Sequence, residues 1–240
     1  MNVALMWESI PRLLGGLVLT LELVGLSLLL GIFVAVGMAL MRLSHYRVLS
    51  GFAYGYTFVF RGTPLLVQIF LIYYGLGQFD AVRDSFLWTF FREPFWCAIL
   101  AYTVNTGAYT SEIIRGGIQS VPYAQIEAAR ACGMGRLLMF RRIVFPLAIR
   151  QALPAYGNEI MLMVKASSLA STITLMEVTG IARSIISKTF APVEIFIVAG
   201  SIYLLINFAV SRAIRYAEYR LSPDLRGAPS HVLSEPIGAH

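Results

Sequence analysis

The chain has 240 residues, 58% of them apolar and 13% charged, with a mean hydropathy of +0.71. A soluble domain is about a quarter charged and about 45–50% apolar, so a soluble globular enzyme, a disordered chain and a coiled coil are all excluded. The formal net charge of +6, from 19 basic and 13 acidic residues, would suggest nucleic acid in a soluble protein. In a membrane protein it records basic cytoplasmic loops, so no nucleic-acid partner is expected.

A bilayer core requires about 20 apolar residues per helix, and five stretches meet that length. The first covers residues 13–41, with Glu22 as its single charge. Its apolar run is too long for a cleaved signal peptide, and only Arg12 precedes it, so it is expected to remain in the mature protein. The second covers 56–77, with Arg61 and Pro64 near its start, and the third 95–114, with Asn105 inside and Glu112 at its end. The fourth covers 153–176 and contains Glu159 and Lys165; the fifth covers 193–210, opening near Glu194. Glu22 and Arg61 are read as interface-anchored groups whose long side chains snorkel. The expected fold class is an all-α integral membrane protein of five transmembrane helices, because backbone polar groups in lipid must be satisfied within the segment.

The basic residues orient the spans. With the N-terminus outside, the segments 42–56, 115–152 and beyond 211, together with Arg61, hold 13 of the 19 cations on the cytoplasmic side. Arg12, Arg83, Arg92, Arg183 and Lys188 are left outside, and Lys165 lies within a span. This bias predicts N-out, C-in. Residues 1–221 form the expected transmembrane unit, and 222–240, with three Pro and two Gly, a flexible cytoplasmic tail.

The cytoplasmic segment 115–152 exceeds a simple connector. Residues 125–132 suit a short helix rich in Ala, Gly133 and Gly135 end or bend it, and 137–143 form a second helical stretch before Pro146. Such a helix fits a groove on another protein, or it lies on the membrane surface; the residues alone leave both readings open. Enzyme motifs are absent: no G-x-x-x-x-G-K-[ST] phosphate loop, no H-E-x-x-H and no G-x-S-x-G occurs. The cysteines Cys97 and Cys132 form no C-x-x-C pair and read as small apolar fillers, and His45, His231 and His240 read as solvated surface.

In the fourth span each charge costs about 2.5–3.5 kcal/mol at the bilayer centre. Glu159 and Lys165 are six residues apart, about 240° around a regular helix, so they do not face each other and each needs another partner. On that wheel Ser168 and Thr172 fall within about 60° of Lys165. This polar face either packs on neighbouring helices through its hydroxyls or lines a substrate path. Glu159, Lys165, Ser168 and Thr172, with Asn105 from the third span, are the candidate pathway residues. Glu159 would attract a cationic group.

The run EAARACGMGRLLMFRRIVFP at 127–146 resembles the EAA loop, EAA-x3-G-x9-I-x-L-P, of ABC-importer permeases. Glu127, Ala128, Ala129, Gly133, Ile143 and Pro146 match, and Phe145 stands where the pattern has Leu. FRGTPLLVQ at 60–68 and EIIRGGIQSVP at 112–122 look like the polar amino acid subfamily, in which a Gly is often seen where this chain has Ala124. YYGLGQF at 73–79 and MVKASSLASTITLMEVTGIA at 163–182 look most like the M-type subunits of histidine and opine permeases. The resemblance covers about residues 13–215. It implies one permease subunit of a bacterial inner-membrane importer that moves a polar, cationic amino acid or an opine by alternating access. The implied partners are a second, similar permease, an ATPase subunit dimer and a periplasmic substrate-binding protein, besides membrane lipid and the amino-acid substrate. This chain would hold no cofactor, since ATP and Mg would be bound by the ATPase. The resemblance gives Glu127, Ala128, Ala129 and Gly133 the role of coupling to that ATPase, with Arg130 and Glu127 able to add ion pairs or to be a solvated face. Two other readings remain at this point: a membrane scaffold or sensor subunit with no path, and an ATP-independent secondary transporter.

Overall fold

The computed structural model describes residues 2–221, and every regular element among them is helical. The tail expected at 222–240 lies outside the described residues.

Helix α1 (Val3–Leu14) is capped by the Asn2 side chain, which accepts from the Leu5 amide at 3.2 Å. It takes residues 13 and 14 from the first expected span. Gly15 and Gly16 separate it from α2 (Leu17–Arg42). A Cβ on Gly16 would lie 2.7 Å from the backbone of Glu177, so the chain turns here against another backbone segment. Along α2 the small residues Ser27, Gly31, Ala35 and Ala39 recur every four positions and are buried. Phe33, Leu30 and Leu40 on the remaining surface are exposed. A stripe of small residues allows close helix approach, and α2 packs along α7 (see below) with Gly31 against the Thr106 methyl.

The second expected span is not one straight helix. Helix α3 (Arg47–Gly62) meets the segment Leu65–Gln78 at 103°. That segment consists of α4 (Leu65–Phe70), a π turn over Leu71–Gly75 and a 3-10 turn over Leu76–Gln78. Pro64 explains the break. Its ring disfavours helical backbone at Thr63, which is extended (φ −110°, ψ 144°), and it has no N–H to give the Phe60 carbonyl.

Two short helices, α5 (Asp80–Arg83) and α6 (Trp88–Phe91), lead to α7 (Pro94–Gln119), which starts with Pro in its first turn. This is the central helix, with α2 and α10 against it. Its buried face carries Tyr102, Thr103, Asn105, Thr106, Thr110 and Ser111. Among the described residues, helices α2 and α12 alone are long and apolar enough to cross a membrane by themselves, and up to four crossings result if each bent pair counts as one. The polar buried face of α7 keeps its average hydropathy low.

Helix α8 (Tyr123–Ala131) starts two residues before the expected position and α9 (Arg136–Met139) follows it. The second stretch does not stop before Pro146: a π turn over Phe140–Val144 runs directly into α10 (Phe145–Ala166). Proline is tolerated here because it falls in the first turn of α10. The fourth expected span changes character at its end. After Ala166 the chain becomes a 3-10 helix, Ser167–Ile173, closed by Thr174 at φ 71°. The 100° wheel used to place Ser168 and Thr172 therefore fails beyond Ala166, since a 3-10 turn holds three residues. Helix α11 (Val178–Thr189) follows at a 49° bend, and α12 (Pro192–Leu221) packs on α10 and α1.

Candidate translocation site and coupling surface

Glu159 lies on the face of α10 that meets α7 and is 5% exposed. Thr106 of α7 donates to its Oε1 at 2.9 Å, and among the described cations Arg61 acts on it electrostatically. Gly31 of α2 lies against the same threonine, so the carboxylate marks the junction of three helices. Lys165, one and two-thirds turns further on, is exposed. The two charges point to different faces, as six-residue spacing on an α-helix requires, and the structure does not bring them together as an ion pair.

Asn105 belongs to a buried amide cluster. Its Nδ2 donates to the Phe60 carbonyl at 3.1 Å and to Gln68 Oε1 at 3.0 Å. Gln68 Nε2 donates to the same carbonyl at 2.9 Å, and to the carbonyl and hydroxyl of Thr63 at 3.1 and 2.8 Å. The Phe60 carbonyl is the group left without a donor by Pro64, so two side-chain amides replace the missing N–H. Tyr56 ties α3 to α7 alongside, donating to the Val104 carbonyl at 2.6 Å.

The hydroxyls near Lys165 bond to their own helix. Ser167, Ser168, Ser171 and Thr172 donate to the carbonyls three residues earlier at 2.6–2.8 Å. Ser167 also interacts with the Tyr203 hydroxyl of α12. Lys165 and Ser168 nevertheless line a cavity of about 320 Å³ with Thr179, Gly200 and Tyr203, and Thr172 does not. A second cavity, of about 330 Å³, lies between Arg42, Tyr54, Arg61, Tyr109 and Glu112. In it Glu112 bridges Arg42 at 3.3 Å and Arg115 at 2.6 Å, while Arg61 stacks over Tyr109.

The segment expected to couple to an ATPase presents a mixed surface. Ala129 is buried, and Ile126 of the same helix packs on a small cluster formed by Val121, Val144 and Ala148. Glu127, Ala128, Arg130 and Gly133 are exposed. Gly133 has φ +75°, and it ends α8 in a Schellman motif: its amide reaches the Arg130 carbonyl at 2.9 Å and the Met134 amide reaches Ala129 at 3.1 Å. Cys97 is buried as expected, but Cys132 is exposed at the end of α8, because the short helix buries only one narrow face.

Residues 27–223 match the family described as the binding-protein-dependent transport system inner membrane component. The chain belongs to that family. Among its relatives, the nopaline transport system permease protein NocM of Agrobacterium fabrum is 62% identical over 94% of both chains. The histidine/lysine/arginine/ornithine transport system permease protein HisM of Escherichia coli is 39% identical over 95% of both. A solved amino acid ABC transporter is similar at a TM-score of 0.82 and 35% identity, over 92% of this chain and 99% of that one. The inward-facing MetNI methionine ABC transporter, at 14% identity and a TM-score of 0.65 over 92% and 99%, shares the fold.

In this inner membrane component, sequence reasoning passed over three residues that the fold makes central. Glu177, which falls in the outer segment expected between the fourth and fifth spans, is fully buried. Its carboxylate caps α11, accepting from the amides of Thr179 and Gly180 at 2.9 and 2.8 Å, and from the Tyr203 hydroxyl at 2.6 Å. The signal was present as an acidic residue just ahead of a helical stretch, an N-cap pattern. Thr106 and Gln68 gave no such signal, because each gains its role only from a residue on another helix.

Proposed function

We propose that this chain is one permease subunit of an ATP-driven importer that carries a cationic amino acid or an opine across the bacterial inner membrane. It crosses the membrane five times, by α2, the α3–α4 pair, α7, α10 and α12, with its N-terminus outside and its C-terminus in the cytoplasm. Residues 1–221 are the translocating unit. The observation that carries this reading is the 62% identity to a nopaline permease over 94% of both chains. The match to a histidine/lysine/arginine/ornithine permease supports the same substrate class.

The chain performs no covalent chemistry. A periplasmic binding protein delivers the substrate, and a second permease completes the path. An ATPase dimer, holding ATP and Mg, closes against α8 through Glu127, Ala128, Arg130 and Gly133, with Ala129 anchoring the helix. That movement reaches α10, because α9 and its π turn run into it without a break. Glu159 contributes a negative charge where α2, α7 and α10 meet, and it favours a guanidinium or ammonium side chain. Lys165, Ser168, Thr172 and Asn105 line or support the same path.

ATP-dependent uptake of L-arginine and octopine by the reconstituted complex tests the reading. Uptake is expected in the wild type. Glu159→Gln, with assembly confirmed, is expected to lower uptake of cationic substrates by about tenfold or more, in keeping with the loss of one charge-assisted contact. Wild-type vesicles without ATP-dependent uptake of either compound overturn the proposal.

A further inference from the structure

The cavity beside Lys165 is walled largely by apolar surface, including Phe196 and Ala199, and its polar groups come from Lys165, Ser168, Thr179 and Tyr203. Lys165 is exposed and forms no ion pair among the described residues. Its ammonium is a pure donor. The hydroxyls on the cavity wall are different, because their protons are already committed. Glu177 accepts the Tyr203 proton on Oε2. Tyr203 then has only lone pairs left, so in its 3.0 Å contact with Thr179 the threonine is the donor. Ser168 gives its proton to the Lys165 carbonyl at 2.7 Å. Ser168 and Thr179 therefore face the cavity with acceptor lone pairs alone. The remaining wall includes Gly200, where an added Cβ would meet nothing within 4 Å.

The polar part of the lining thus offers one cation, from Lys165, and acceptors, from Ser168 and Thr179. A group carrying a carboxylate and an ammonium on one carbon satisfies both at once, and about 320 Å³ lies at the lower end of small-ligand sites. We infer that this cavity receives the zwitterionic head of an α-amino acid, with Lys165 on the carboxylate and the Ser168 and Thr179 oxygens on the ammonium. Glu177 acts as a positioning residue: it fixes the direction of the hydroxyl protons through Tyr203. This inference rests on the amino-acid permease reading and deepens it. Glu159 does not line the cavity, so head-group and side-chain recognition can be probed separately. A phosphatidylethanolamine head also pairs an anion with an ammonium, and the test separates that source.

The experiment uses the complete reconstituted complex with Cys132→Ser and Gly200→Cys in this chain. The rate at which a small charged thiol reagent modifies position 200 is followed. L-Arginine is expected to slow it, whereas agmatine, which lacks the carboxylate, and N-acetyl-arginine, which lacks the ammonium, are expected not to. Lys165→Met is expected to raise the half-protecting concentration about 10- to 100-fold, the loss of one charge-assisted pair, and Lys165→Arg is expected to restore most of it. Equal protection by agmatine, or protection unaffected by Lys165→Met, overturns the inference while ATP-dependent uptake of L-arginine keeps the parent reading. Protection that appears only in vesicles containing phosphatidylethanolamine, without any amino acid, assigns the cavity to lipid and overturns it as well. Failure of ATP-dependent uptake of L-arginine and octopine in the wild type removes both.

Discussion

A missing proton donor organises one polar cluster inside this helical bundle. Pro64 leaves the Phe60 carbonyl without its helical N–H, and Asn105 and Gln68 supply amide protons instead. A buried carbonyl without a partner costs about 1–3 kcal/mol. Asn105→Ala is expected to lower the thermal midpoint of the purified complex. Gln68→Ala is expected to lower it further, because Gln68 also holds both oxygens of Thr63. The two changes share one network, so the double variant is expected to depart from additivity by at least 0.5 kcal/mol or so. Additive losses in a thermal denaturation series would show that the two amides act separately. Asn105 could be picked out from the sequence as a polar group within a span. Its partner could not, because Phe60 and Asn105 are 45 residues apart and meet only when α3 lies against α7.

At the scale of elements, α8 and its glycine stop form the most sequence-legible part. The alanine-rich run, the glycine and the following helical stretch were all readable locally, since caps and propensities act over a few residues. The left-handed backbone at Gly133 makes a sharp prediction. Gly133→Ala places a Cβ in a conformation costing about 1–2 kcal/mol, and it is expected to reduce substrate-stimulated ATP hydrolysis of the complex more than its assembly. Glu127→Lys, which reverses a charge exposed on the same helix, is expected to weaken co-purification with the ATPase subunit. Intact co-purification and intact stimulation in Glu127→Lys would remove α8 from the coupling surface. The spans were less legible. A hydropathy window could not see that Pro64 turns one of them through 103°, or that another ends as a 3-10 helix closed by Thr174. A window averages over both breaks, whereas each is decided by one or two residues.

For the whole molecule, the arginine bias predicts a sidedness that the native thiols can report. Cys132 is exposed at the end of α8, and Cys97 is buried within α7, its thiol near the Phe91 carbonyl at 3.1 Å. A membrane-impermeant thiol reagent is expected to label Cys132 in inverted vesicles and not in intact spheroplasts, with Cys97 unlabelled in both. Adding the ATPase subunit is expected to protect Cys132. Labelling of Cys132 from the outside would reverse the N-out, C-in orientation.

The composition already determined that this is a membrane chain, and the local motifs determined its family and marked the helix proposed for coupling. Hydropathy, charge bias and helix caps are properties of short windows, so the linear sequence carries them whole. Tertiary structure alone decided which polar residues work together. Glu159 found Thr106, Asn105 found Phe60 and Gln68, and Glu177 moved from an expected outer loop to a buried cap held by Tyr203. Each pairing removes a polar group from apolar surroundings by supplying a donor from a distant element. Such partners are fixed by how the helices pack, which no single stretch of sequence encodes.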